Sequence, residues 1–222
     1  MSAAAPSPRT LRTQVKRLPA RAAYERATID AILDEALVAH VGFAVEGQPY
    51  VIPTIHARVG DTVYFHGSAA SRTIRSLGEG IAACLTVTLL DGLVLARSAP
   101  KHSVNYRSVV VLGQARAVQG ASEHLAALRA FVERVVPGRW EEVRAPSAKE
   151  LKGVRVLALD LHEASAKLRA GPPLDEEEDY ARDVWAGVVP LSTGVGAPLA
   201  DPRLEAGTAL SASVEAWIAA RA

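Results

Sequence analysis

Apolar residues recur along this chain with two periods, and each change of period marks an element. Ile29, Ile32, Leu33, Ala36 and Leu37 fall three and four apart, with Asp30 and Asp34 between them. That spacing makes one apolar stripe and predicts a helix covering a sheet. The period then drops. Residues 41–45, 50–59 and 62–66 are rich in Val, Ile, Tyr and Phe, and are separated by Glu46-Gly47-Gln48-Pro49 and Gly60-Asp61. Three strands joined by tight turns follow from that pattern. Residues 71–77 read as a short helix ending at Gly78. Residues 81–89 and 93–96 read as strands about an Asp91-Gly92 turn, and 106–118 as a long strand after the loop 98–103. Closely spaced strands with tight turns point to an antiparallel sheet that curls into a barrel with peripheral helices.

The second half is mixed. Leu125, Leu128, Phe131, Val132 and Val135 share a helical stripe that starts near Ser122 and stops at Pro137-Gly138. Residues 154–168 read as one strand, 174–183 as an acidic loop, 194–202 as an irregular Gly/Pro-rich run, and about 211–220 as a terminal helix. The chain therefore divides into an N-terminal arm (1–20, broken by Pro6, Pro8 and Pro19), a barrel domain (21–192) and a C-terminal extension (193–222).

Composition narrows the function classes. The 222 residues are 49% hydrophobic and 22% charged, with a net charge of +1. That length allows a substantial core, and that charge gives no general attraction to nucleic acid or anionic lipid. The start of the chain lacks the apolar segment of a signal peptide, and no apolar run is long enough to span a bilayer. The expectation is a soluble, cytoplasmic protein with no membrane or nucleic-acid partner. Cys84 is the only cysteine; its apolar surroundings mark it as a small core residue.

One stretch carries candidate chemistry. Tyr64-Phe65-His66-Gly67-Ser68 hands over to Ser71-Arg72-Thr73. Either this is a turn with a serine N-cap, from Ser68 or Ser71, or it holds a phosphate. In the second case free N–H groups, the fork of Arg72 and the hydroxyl of Thr73 would converge on an anion. The histidines make no metal motif. If Gly60-Asp61 is a two-residue turn, Val59 pairs with Thr62 and His56 with Phe65, so His56 and His66 face opposite ways. There is no G-x-S-x-G elbow and no Gly-rich dinucleotide fingerprint after a strand. His102 is either a solvent-facing loop residue or a proton donor.

The order Val51-Ile52-Pro53-Thr54, then the Tyr64–Ser68 and Ser71–Thr73 segments, then Asn105-Tyr106-Arg107-Ser108 with Gly113, resembles the pyridoxamine 5'-phosphate oxidase-like family of FMN-binding split barrels. The likeness is to its flavin-nucleotide-binding and nitroimidazole-resistance branch. It extends through Ser165-Ala166-Lys167 and residues 185–191. The resemblance implies a homodimer with FMN at the interface. Val51, Ile52, Pro53 and Thr54 would run along the ring, and His66, Ser68, Arg72 and Thr73 would hold the phosphate. Thr73 stands where the oxidases often carry lysine, so Arg72 bears more of the anion. Tyr106 and Ser108 would approach from the partner subunit, and Trp185 would lie near the flavin or anchor a loop. From their place near a strand end, Lys167 and Arg169 are either contacts for an anionic small-molecule substrate or exposed strand-end cations, and His102 is the weaker third candidate for that substrate. Arg107 reads as a solvated or structural charge. The implied activity is a flavin-dependent oxidoreductase with an NAD(P)H donor. The alternative is a non-catalytic flavin-binding or haem-handling protein of the same fold. FMN and a deazaflavin are not distinguished at this level.

Overall fold

The computed structural model describes residues 9–205 and 207–221. Among them ten strands form one antiparallel sheet. They are β1 (Ala22–Ala23), β2 (Val38–Val45), β3 (Gln48–Val59), β4 (Thr62–Ser68), β5 (Ala82–Leu95), β6 (Ser103–Gln114), β7 (Arg116–Ala117), β8 (Val154–Asp160), β9 (Ala164–Arg169) and β10 (Gly187–Pro190). The spatial order is β1-β9-β6-β5-β2-β3-β4-β8-β7, with β10 beside β5. Five helices surround the sheet: α1 (Arg26–Glu35), α2 (Arg72–Gly78), α3 (Ala121–Val135), α4 (Ala148–Gly153) and α5 (Ala212–Ala219).

Alternation along the strands builds the interior. Val41, Phe65, Leu85, Val109 and Leu159 point inward, and Ile29, Ile32 and Leu33 of α1 close the same cluster. On the other side of β4 and β8, Ala127 and Phe131 of α3 cover Ala57, Tyr64 and Val156. Val59 pairs with Thr62 and His56 with Phe65, as the two-residue turn predicts, so His56 enters the core while His66 faces α3. The buried His56 Nε2 lies 2.9 Å from the Leu33 carbonyl oxygen.

Several expected boundaries change. Asp91-Gly92 is not a hairpin turn: β5 runs straight through it with a bulge between Leu90 and Gly92, paired to β6 on both sides. Arg107 explains the bulge. Its guanidinium binds the Asp91 carboxylate (Nη2 2.8 Å) and also the Glu35 carboxylate, so Arg107 is a structural bridge. Residues 154–168 are not one strand but two, β8 and β9. The 106–118 strand starts at Ser103 and divides into β6 and β7, and α3 begins after Gly120 rather than on Ser122. Cys84 is not a core residue. It alternates with the buried Ala83 and Leu85 and is half-buried on the outer sheet face, where burial pushes its thiol pKa up.

The segments at both ends of the described residues are tied down. In the arm, the Thr10 hydroxyl donates to Glu163 (2.7 Å), Arg12 pairs with the same carboxylate (2.7 Å), and the Val15 N–H donates to Tyr24 Oη (2.9 Å). The first eight residues of the expected arm lie outside the described residues. Helix α5 is anchored where Glu142 accepts the Ser213 N–H (2.9 Å) and its hydroxyl. These bonds hold the Glu142 carboxyl at a pKa of about 2. No helix among the described residues is long and apolar enough to cross a membrane.

Candidate functional site

The site is created by strands parting. β3 has twelve residues, but only 56–59 pair with β4. Residues 48–55 pair with β2 on one side and have no strand on the other among the described residues. Their outer edge is therefore open. β4 meanwhile turns away to pair with β8 along its whole length, from Thr62–Asp160 to Ser68–Val154. In the gap lies a cavity of about 150 Å³ lined by Ile52, Pro53, Thr54, His66, Ser71 and Thr73, with Val41, Phe65, Gly67, Ile74 and Leu77 as its apolar wall. Pockets for whole organic ligands run to about 300–1,000 Å³, so this cavity has room for only one end of such a ligand.

The polar groups here are unsatisfied. Neither the Ser71 nor the Thr73 hydroxyl has a hydrogen-bond partner among the described residues. His66 keeps a buried Nδ1 without a partner, and burial lowers its pKa, favouring the neutral ring. That ring sits 4.5 Å from Phe131. The buried Nδ1 is costly unless something donates to or accepts from it, whereas the half-exposed Ser71 and Thr73 hydroxyls are open to water. Ser71 occupies the N-cap position of α2 but makes no capping bond, while Ser68 Oγ accepts the Ala70 N–H (3.3 Å) at the exposed rim. The serine-cap reading of this corner is thus not realised. With seven residues, α2 is too short for a strong dipole, so side chains and local N–H groups would do the binding. Gly67 is required by close approach: a Cβ there would stand 2.7 Å from Ile74 Cγ1.

Arg72 does not line the cavity. Its guanidinium lies over the Tyr50 ring, 5.0 Å from the centroid, at the exposed end of the site. Tyr50 in turn stacks on Phe43 at 5.4 Å and 20°. Val51, 64% exposed, belongs to the outer face of β3, because its neighbour Ile52 points into the cavity.

Other expected residues lie elsewhere. Tyr106 and Ser108 are half-exposed on the outer face of β6, opposite Arg169 and Lys167 of β9. Lys167 is half-buried beside them. Arg169 is buried and its guanidinium is engaged with Asn105 Oδ1 and the carbonyls of Gly171 (3.3 Å) and Pro172 (3.2 Å), which takes it away from any substrate. Trp185 is exposed and packs against Gly187. His102 is exposed, with Nδ1 3.0 Å from the Ser98 carbonyl oxygen. Sequence reasoning did not single out Gly67, Ser71 and Tyr50 as site residues. A glycine inside a strand was the available signal for Gly67. Tyr50 gave none, because its partner is 22 positions away.

Comparison with known proteins adds to this geometry. A family model described as pyridoxamine 5'-phosphate oxidase matches residues 25–168. The structure of the flavocytochrome Anf3 from Azotobacter vinelandii is 44% identical, with a TM-score of 0.88 over 95% of this chain and 97% of that one. The FAD and heme binding protein from Mycobacterium smegmatis is 40% identical, with a TM-score of 0.85 over 88% and 96%. A candidate 5-nitroimidazole antibiotic resistance protein from Bacteroides thetaiotaomicron shares the fold at 22% identity and a TM-score of 0.56, over 66% and 85%. No curated protein matches the sequence.

Proposed function

This chain belongs to the pyridoxamine 5'-phosphate oxidase family, and from that membership we propose that it is a redox protein holding a flavin at the β3–β4 opening together with a haem. The observation that carries the flavin reading is the cavity itself: an apolar slot whose mouth carries the Ser71 and Thr73 hydroxyls, neither of them with a protein partner among the described residues. Those groups suit the phosphate end of a flavin nucleotide. Haem enters through the two relatives that are 40% and 44% identical to this chain, one named a flavocytochrome and the other a FAD and heme binding protein.

When bound, the flavin supplies hydride and one-electron chemistry and the haem one-electron chemistry. The chain's own residues bind and orient. The open backbone edge of 51–54 offers N–H and C=O groups to a polar ring edge, except at Pro53, which has no N–H. Val41, Phe65, Ile74 and Leu77 keep water from the enclosed end. Ser71, Thr73 and Arg72 hold the anion. We favour FAD over the mononucleotide FMN. The exposed Arg72 and Arg75 of α2, with Arg155 near Gly78, extend positive charge beyond the cavity, as a second phosphate requires. A homodimer fits the outer face of β2, β3, β5 and β6, where Val38, Val51 and Ile55 are exposed apolar residues. A second copy seated there would cover them and bring its Tyr106 and Ser108 towards the open edge.

Among the described residues lining the cavity His66 alone is titratable, and its ring is turned to Phe131 of α3, which favours a second reading: an electron-carrying or flavin-holding protein rather than an oxidoreductase that moves substrate protons. The test is to purify the protein, identify the extracted chromophores by mass, and assay NAD(P)H oxidation with a panel of small acceptors. FAD with haem and acceptor-dependent turnover support the enzyme. Slow, acceptor-independent reduction supports the carrier. A colourless protein that takes up neither FAD nor FMN refutes the flavin assignment.

A further inference from the structure

A haem iron bound by imidazole needs a ring nitrogen whose lone pair faces open space. The other ring nitrogen is commonly fixed by a carbonyl or carboxylate, which sets the tautomer. The six histidines separate on these criteria. His56 is fully buried with Nε2 held by Leu33. His66 has a buried Nδ1 and its ring is tilted against Phe131, and His124 has a buried Nε2. His40, His102 and His162 are exposed. Of these three, His102 alone has a ring nitrogen hydrogen-bonded within the described residues, Nδ1 to the Ser98 carbonyl oxygen at 3.0 Å. A carbonyl only accepts, so Nδ1 carries the proton and the lone pair is on Nε2. The bond spans the 3-10 turn Ala99–Lys101 and holds the ring to it.

The surface that follows His102 suits a flat apolar group. Two residues on, Val104 of β6 pairs with Leu93 of β5, and Leu93 pairs with Val189 of β10. Three apolar side chains thus stand in one row across three strands. At about 4.8 Å per strand the row is roughly 10 Å wide, the scale of a porphyrin. Leu90 and Tyr106 form the next pair on that face. Leu90, Leu93, Val104 and Val189 are between 37% and 48% exposed, an apolar patch that a monomer would leave in water. Further along the same face, Lys167 lies across from Ser108, and its ammonium has no partner among the described residues.

Resting on the flavin-and-haem reading, we propose that His102 Nε2 is an axial ligand of the haem iron, with the Val104–Leu93–Val189 row beneath the porphyrin and Lys167 available to a propionate. Coordination donates the Nε2 lone pair to ferric iron in place of water. Nδ1 keeps its proton, so the step releases none.

The full-length chain is titrated with haemin and followed by optical and electron paramagnetic resonance spectra, not by activity. The wild type is expected to give a histidine-ligated Soret band. His102→Ala is expected to lose that band and bind haemin at least ten-fold more weakly, with an unchanged thermal midpoint. Added imidazole should restore the spectrum, and His162→Ala should match the wild type. If His102→Ala binds haemin with wild-type affinity and spectrum, the ligand assignment is wrong. If the wild type itself takes up no haemin, the haem reading falls before any variant is made.

Discussion

Removing the Arg72 guanidinium isolates the contribution of its placement over Tyr50. Arg72 has no carboxylate partner among the described residues; its guanidinium lies on the face of Tyr50, 5.0 Å from the ring centroid. A hydrogen bond from a charged donor to a phosphate contributes about 1.5–3 kcal/mol. Arg72→Ala should therefore weaken flavin binding by about 10- to 150-fold. Tyr50 acts one step back. Cation–π contacts at exposed sites contribute about 0.5–1 kcal/mol, so Tyr50→Leu should weaken binding by about two- to five-fold, and Tyr50→Phe, which keeps the ring, should not. The two residues form one unit, so the double variant should bind flavin no worse than Arg72→Ala alone. Apo-protein titrated with FAD, by quenching of flavin fluorescence or by calorimetry, measures all four affinities. Thermal midpoints check that the Tyr50–Phe43 stack has not merely unfolded. Unchanged affinity in Arg72→Ala would overturn the anion assignment. Additive losses in the double variant would show that Tyr50 touches the flavin itself rather than positioning Arg72.

Gly67→Ala should cost about 1–3 kcal/mol of stability, because the new Cβ meets Ile74 at 2.7 Å, and should also reduce flavin uptake; a normal midpoint in a melting experiment would contradict the close approach. Burial lowers the pKa of His56, against the opposing pull of the Leu33 carbonyl. A depressed folded pKa means that the unfolded chain takes the proton first. The stability due to neutral His56 is therefore complete above about pH 6.5 and declines as pH falls through the folded pKa, with His66 adding in the same direction. Melting temperature against pH should show this fall, and His56→Gln should blunt it; identical profiles would argue against it. Val110→Arg, on the outer face opposite Thr86 and Ser165, should give a monomer with reduced flavin content by light scattering. A flavin-loaded monomer would show that the site needs no second copy.

What could be read from the sequence was what local chemistry decides. Gly60-Asp61 sets a two-residue turn, and that turn sets the register that sends His56 and His66 to opposite faces. The Ser68–Thr73 corner was visible because a strand that hands over to a helix through small hydroxyl residues and an arginine is unusual. Long-range contacts stayed hidden. Asp91-Gly92 carries the same signal as a hairpin turn, and only Arg107, sixteen positions on, makes it a bulge. His162 and Glu163 interrupt residues 154–168 without a glycine or proline to mark the turn. Arg169 looks like a strand-end cation until Asn105 and two carbonyls surround its guanidinium. The flavin family was legible from the order of short segments, while haem entered only as an alternative that the resemblance to the fold implied.

The open edge of residues 48–55 has a cost outside the redox chemistry. An unpaired strand edge is a template for joining other chains, and natural proteins commonly guard such edges with proline. Pro49 and Pro53 are such guards, yet the exposed Val51, Ile52 and Ile55 between and beside them remain sticky. A ligand lying along this edge would cap it. Chains produced faster than a cell can supply that ligand should therefore clump into insoluble material, and supplementing the culture with riboflavin should raise the soluble yield.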